Sequence, residues 1–273
     1  MPLTGYSNTV TVTTSGLLLD IYTNAAVAYS VRQLRVSYTG PAIRVRRSSD
    51  NVEQDIYFDV NGNLNTSALT SFCSGTNGFI TTWYDQSGNS YNATQTTAGN
   101  QPIIVSAGAL ITVNSKPAIL SNQKSIANTA LSVAPPLTDF FNYKINASLG
   151  GAYECFYDGA LLEANRGFFG RQNSNTKDVI YDGAVLDGYT STLNQTLATN
   201  LRNGSSSKIY KNNSLIASGN SGAYTPINGI RFGKDNTDNT PSNVYYQEFI
   251  RYSGSSSNIS GINTNINTYY GIY

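Results

Sequence analysis

Apolar positions change their spacing twice within the first fifty residues. Residues 1–16 alternate Thr and Val without a strong apolar face, the pattern of an edge strand or an extended arm. Val27, Val31, Leu34 and Tyr38 then recur at helical intervals and Gly40-Pro41 closes the run, which predicts a short amphipathic helix over residues 26–38. From Ile43 the period falls to two, with Ile43 and Val45 alternating against Arg44 and Arg46. IYFDV, GFITTWYD, QPIIV and KPAILS follow as short strands, and GAYECFYDG, GFFGRQ, DVIYDG, SKIYKNNSLIASG, GIRFGKD and VYYQEFIRYSG continue the pattern. Asn212-Asn213 can take positive φ at both positions and marks a hairpin. Ile259, Ile262, Ile266 and Tyr269 are spaced by three and four, which predicts a closing helix near 260–270. So many short strands with so little helix predict an all-β, two-sheet sandwich of the jelly-roll kind. No linker divides the chain, so residues 17–273 read as one domain preceded by an arm over 1–16.

Composition narrows the chemistry. Charged residues make up 12% of the 273 and the net charge is +1, so nothing marks a nucleic-acid or anionic-membrane surface. The absence of histidine excludes imidazole bases, Ser-His-Asp catalysis and histidine-ligated metals. Two cysteines, Cys73 and Cys155, are too few for a disulfide framework, and both a single bridge and two buried thiols fit the sequence. The N-terminus lacks a basic stretch followed by an apolar one, and no apolar run approaches a membrane span. A chain of this kind that works outside a cell is expected to leave without a cleaved signal peptide, for instance within a virus particle.

The order DIYTNA, AYSVRQL, AIRVRRSSD, FCSGTNGFITTWYDQSGN and ATQ resembles the catalytic domain of fungal and bacterial α-L-arabinofuranosidases. The likeness is densest between Ala28 and Gln95 and returns in GIRFGKDN and VYYQEFIRYSG. It implies a concanavalin A-like sandwich and a retaining mechanism with two carboxyl groups. The family's acid/base aspartate lies in a Gly-Gly-Asp-Asn string, matched here by Gly233-Lys234-Asp235-Asn236. Its nucleophile is a glutamate two residues after an aspartate; here Asp182 matches the aspartate and Ala184 stands in the glutamate's place. The family's adjacent cysteines at its sugar pocket are replaced by Glu154-Cys155, and the partner expected for Cys73 falls near Gly78. Loss of both bridges implies folding in a reducing cytoplasm. Ala184 weighs against catalysis, so the resemblance implies no turnover of arabinofuranosides. If the chain were an enzyme, Asp235 would be its acid/base and Asp182 a poor nucleophile. A degenerate sugar site would be built from Asp235, Asn236, Glu154 and Asp182.

Other residues have plainer readings. Asp85, in YDQSGN, is expected to accept backbone N–H bonds of its own turn, and Trp83 to face the core. The arginines from Arg44 to Arg47 precede Asp50, Glu53, Asp55 and Asp59, which reads as a solvated strand face with local ion pairs. The acidic loop Asp235–Asp238 is a weak calcium candidate, and no other metal or cofactor is expected. Tyr245-Tyr246 and Tyr269-Tyr270 read as packing or subunit contacts. Taken together these features favour a non-catalytic, lectin-like protein of a phage virion: a capsid-decoration, head-fibre or tail-associated chain assembled in the host cytoplasm. Its partners would be capsid proteins, further copies of itself and cell-surface glycans. A glycoside hydrolase or a free carbohydrate-binding module is the alternative.

Overall fold

The computed structural model describes residues 16–160, 163–174 and 176–273. The arm expected over 1–16 lies, except for Gly16, outside the described residues. Antiparallel ladders dominate. In one, Val244–Ser253 pairs with Ala25–Ser30 and Ile119–Leu120 on one side and with Leu137–Ile145 on the other. Thr196–Arg202, Ser207–Lys211 and Ser214–Gly219 extend it outward. The second ladder runs from Glu53–Ile56 through Ile43–Arg47, Gly78–Trp83, Ala93–Thr94, Ile126–Val133 and Ile227–Phe232. It continues through Tyr153–Asp158, Phe168–Gln172, Lys177–Tyr181 and Val185–Thr190. Ile103–Ser106 pairs with a strand of each ladder and joins them. The result is the expected jelly-roll sandwich of concanavalin A-like form, with short helices at Leu18–Ile21, Thr66–Phe72 and Ile259–Tyr270.

Aromatic rings fill the space between the sheets. Trp83 is fully buried, with its ring centroid 5.4 Å from Tyr29, 5.4 Å from Phe232 and 5.5 Å from Tyr246. Such tilted and edge-on pairs add about 0.5–1.5 kcal/mol each beyond the area they bury. A second apolar layer lies on the far side of the first ladder. There Ile262, Ile266 and Tyr270 of the closing helix cover Phe140, Leu197 and Ile250. Gly271, at φ +60°, ends that helix in the left-handed conformation that glycine reaches without strain.

The helix expected over 26–38 is not formed. Ala25–Ser30 is a strand in which Val27 and Tyr29 enter the inter-sheet core while Ala28 enters the outer apolar layer. A strand buried on both faces is apolar at most positions, so its period of two is masked and an incidental spacing of three and four stands out. Its backbone is also committed elsewhere. Asp85 Oδ1 accepts from Ala28 N at 2.9 Å, and Gln86 accepts from Leu34 N at 2.8 Å while donating to Ser30 O and Arg32 O. Asp85 also accepts from Ser87 N and Tyr91 N, so it ties both its own turn and a strand 57 residues away. Arg44 pairs with Glu53 at 2.7 Å and Asp55 at 3.2 Å, and Arg47 with Asp50 at 2.6 Å. Asn212 and Asn213 take φ +50° and +66° at the hairpin between Ser207–Lys211 and Ser214–Gly219.

One interior feature is ionic. Asp139 lies opposite Arg251 in the ladder and accepts from its guanidinium at 2.6 and 2.9 Å. Arg202 reaches Asp139 at 3.4 Å, pairs with Asp182, and donates to Phe168 O at 3.0 Å. All four charged side chains are buried. Asp139→Ala leaves two buried guanidiniums short of a counter-ion and is expected to destabilise the fold by about 3–5 kcal/mol, read from urea denaturation. A loss below 1 kcal/mol would show that water already reaches this network.

Candidate functional site

A cavity of about 240 Å³ opens on the face of the second ladder that points away from the core. Alternation along Lys177–Tyr181 explains the placement: Ile180 enters the core, whereas Val179 and Tyr181 project to the opposite face beside Cys155 and Phe168. Phe168 lies opposite Tyr181, and Tyr181 opposite Val185, so adjacent strands bring these side chains together. Tyr153 stands edge-on to Phe168, with ring centroids 5.9 Å apart. Glu163, Arg166, Asp235 and Thr240 complete the lining. Aromatic faces beside charged and hydroxyl groups suit the apolar faces and hydroxyls of a sugar, and the volume suits one ring.

Arg166 organises the rim. Its guanidinium meets Asp158 at 2.6 Å and both Glu163 oxygens at 3.1 and 3.2 Å, and lies 5.3 Å from the Phe168 ring centroid. Burial pushes the Asp158 carboxyl up to about 6, with Arg166 opposing the rise. Asp235 is a buried part of the lining, two residues after Gly233 at φ +88°. Its Oδ1 accepts from Asn239 N at 2.9 Å and Thr240 N at 3.2 Å, and its Oδ2 from Thr240 Oγ1 at 2.8 Å and Thr237 Oγ1 at 3.0 Å. Burial works to raise this carboxyl, but the hydrogen bonds from Thr240, Asn239 and Thr237 outweigh it and hold Asp235 below the usual carboxylate range.

The structure separates the other sequence-derived candidates. Asp182 does not line this cavity; its carboxylate is buried against Arg202 and accepts from Ser221 Oγ at 2.8 Å. Asp182, Gly183 and Ala184 form the connection between the paired residues Tyr181 and Val185, not a continuing strand. Asp182 and Ala184 therefore sit in a turn and do not share a strand face. Asn236 donates its backbone N–H to Asp158 at 3.4 Å beside the cavity. Glu154 is fully buried and accepts from Ser148 Oγ, Leu149 N and Asn173 Nδ2, bracing the loop before its own strand. In the loop read as a calcium candidate, Asp235 is occupied by N–H and O–H donors and Asp238 pairs with Arg231 at 2.6 Å. Cys73 and Cys155 are free and buried, and a Cβ on Gly78 would lie 2.7 Å from Cys73 Sγ, where the sequence placed the missing partner.

Sequence reasoning missed Glu163, Arg166, Phe168 and Tyr181. The available signal was Glu163-x-x-Arg166 directly before Gly-Phe-Phe, an ion pair three residues apart at the entrance to an aromatic strand.

The family model for the catalytic part of alpha-L-arabinofuranosidase B matches residues 19–157, just over half of the 273. The chain belongs to that family. Among curated relatives, a probable alpha-L-arabinofuranosidase B of Aspergillus fumigatus is 42% identical over 86 residues, 29% of this chain and 17% of that protein. An alpha-L-arabinofuranosidase B of Emericella nidulans is 35% identical over 114 residues, 36% of this chain and 22% of the relative. The fold matches a crystal structure of an arabinofuranosidase complexed with arabinofuranosyl-alpha-1,2-xylobiose, with TM-score 0.72 and 21% identity. That match covers 93% of this chain and 64% of the other, so the chain spans less than two thirds of the solved relative and about a fifth of the curated ones. The reading as a non-catalytic phage virion protein assembled in a host cytoplasm is overturned: the relatives are fungal arabinofuranosidases, and the virion location falls with it.

Asp158 supplies a pH test. A carboxyl raised in the folded state stabilises the fold fully below its unfolded value of about 3.9, and this contribution is lost as pH rises through about 6. Asp158→Asn should therefore flatten the fall in stability between pH 4 and 7 by on the order of 1–3 kcal/mol. Urea midpoints measured across that range should show wild-type and variant curves converging towards low pH. Parallel curves would mean that Asp158 does not titrate there.

Proposed function

We propose that the chain is a glycoside hydrolase of the α-L-arabinofuranosidase type, acting at the cavity on the outer face of the second ladder. The observation that carries this reading is Asp235: the aspartate of the Gly-Lys-Asp-Asn string lines an aromatic cavity that is also bordered by a second carboxylate, Glu163. Tyr153, Phe168 and Tyr181 offer surfaces for one sugar ring, and family membership supports the substrate class. In this reading Asp235 passes a proton to the leaving oxygen. Glu163, ion-paired with Arg166, either attacks the anomeric carbon or activates water. Asp182 keeps a structural role as the counter-ion of Arg202.

A specific observation favours a second reading, sugar binding without hydrolysis. Ala184 stands where the resemblance places the nucleophile, and the turn carrying it points no carboxylate into the cavity.

One assay separates the two. Purified protein incubated with an aryl α-L-arabinofuranoside should release the phenol, and Asp235→Asn and Glu163→Gln should each lower kcat/KM by roughly 10²-fold or more. The product anomer, read by NMR, then assigns attack by Glu163 or by water. Because a proton donor must carry its proton and the hydrogen bonds from Thr240, Asn239 and Thr237 hold Asp235 below the usual carboxylate range, kcat/KM should already be falling as pH rises through that range. No turnover, together with arabinoside binding that Tyr181→Ala weakens, establishes the binding reading instead. Absence of both would sink the assignment of this cavity.

A further inference from the structure

A second cavity, of about 380 Å³, shares no lining residue with the first. Lys144, Thr192, Asn194, Gln195 and Lys211 contribute to its wall. Two ammonium groups therefore border a hollow whose lining contains no carboxylate side chain. Lys211 rests 4.8 Å from the Tyr189 ring centroid.

Gln195 fixes what this hollow lacks. The amide of Gln247 donates from Nε2 to three backbone carbonyls, Val113 O, Lys116 O and Pro117 O, so its Oε1 must accept. That Oε1 takes a bond from Asn142 Nδ2 at 3.1 Å and one from Gln195 Nε2 at 2.6 Å. With Asn142 Nδ2 committed as a donor, its Oδ1 accepts from Gln195 Nε2 at 2.8 Å. Both of those bonds consume the NH₂ end of Gln195. The orientation of Gln195 is thereby set by a relay ending on the main chain, and its Oε1 is left over. Gln195 is 7% exposed, and its Oε1, like Thr192 Oγ1, is buried with no partner among the described residues. A buried acceptor without a donor is destabilising, so a site that keeps one fixed in a cavity wall calls for a hydrogen-bond donor from outside.

From these two demands we infer that this cavity is an accessory binding site for an acidic sugar residue. Gln195 Oε1 and Thr192 Oγ1 lie beneath the surface of this wall, so sugar hydroxyls donate to them once the wall side chains shift to uncover them, and a ring carboxylate meets Lys144 and Lys211. A neutral sugar answers only the first demand and a simple carboxylate only the second. The site would hold a uronic acid unit of a polysaccharide while the first cavity takes a neutral furanoside, but the inference does not depend on hydrolysis there.

Calorimetric titration with D-glucuronate, D-glucose and acetate tests it, since the probes carry both features, hydroxyls alone and charge alone. Glucuronate should saturate one site, with glucose and acetate each at least about tenfold weaker. Lys144→Met combined with Lys211→Met should weaken glucuronate by about tenfold or more, and the double arginine variant should largely restore it. Asp235→Asn should leave glucuronate binding unchanged, which separates this site from the first cavity. Circular dichroism confirms that each variant is folded. Glucose binding as tightly as glucuronate, undiminished binding in the methionine variant, or no saturation by glucuronate would each overturn the inference.

Discussion

The buried ion network beneath the cavity sheet is the constraint on which the rest of the structure depends. Removing two guanidiniums from water is costly, and the pairing that offsets it demands particular strands in a particular register. Asp139 and Arg251 are direct ladder partners, and Arg202 comes from the strand on the other side of Asp139. A slip by one residue would turn these side chains to the opposite face and bring Phe140 inward. Arg202 then spans the sandwich. Its bonds to Phe168 O and Asp182 clamp the two strands whose outward residues, Phe168 and Tyr181, line the cavity. The inner face of the second ladder thus positions its outer face.

That dependence explains which parts of the molecule the sequence disclosed. Strands with one wet face were plain: Ile43 and Val45 alternate with Arg44 and Arg46, and the ion pairs on that face followed from the acids nearby. The closing helix was equally clear because its polar side faces solvent. Ala25–Ser30 misled because both its faces are apolar, so that only its ladder partner Ser253-side strand, distant in sequence, distinguishes strand from helix. Asp85 was readable as a turn residue, whereas its bond to Ala28 across 57 residues was not.

The candidate site was legible only where a motif marked it. Gly233-Lys234-Asp235-Asn236 pointed to the cavity lining, but the aromatic wall and Glu163 carry no spacing that distinguishes them from ordinary strand ends. Family membership rests on residues 19–157, while most of the cavity lining comes from beyond them. The segment that identifies the fold and the segment that would perform chemistry are therefore largely different. The amide relay ending at Gln195 lies further still from sequence reading, because its direction is set by three carbonyls more than 120 residues away from the strand of Asn142's partner Gln247.

The turn at Asp182–Ala184 bears on the proposed catalysis, because the resemblance places the family's nucleophile at Ala184. Ser221 O accepts from both Asp182 N and Ala184 N, and a Cβ on Gly222 would lie 2.0 Å from Asp182 O, so the turn is held tightly against its neighbour. The Asp182 carboxylate is held by Arg202 and Ser221 as well. Swinging it toward the cavity would strand Arg202 with only the more distant Asp139 as counter-ion, a cost of several kcal/mol that sugar binding would have to offset. A flexible rescue by Asp182 is therefore the least economical route. Glu163 already borders the cavity, is partly exposed, and can move without uncovering a buried charge. In the proposed hydrolysis, the second carboxyl has moved from a strand-end turn to the short helical turn Glu163–Asn165 beside the cavity.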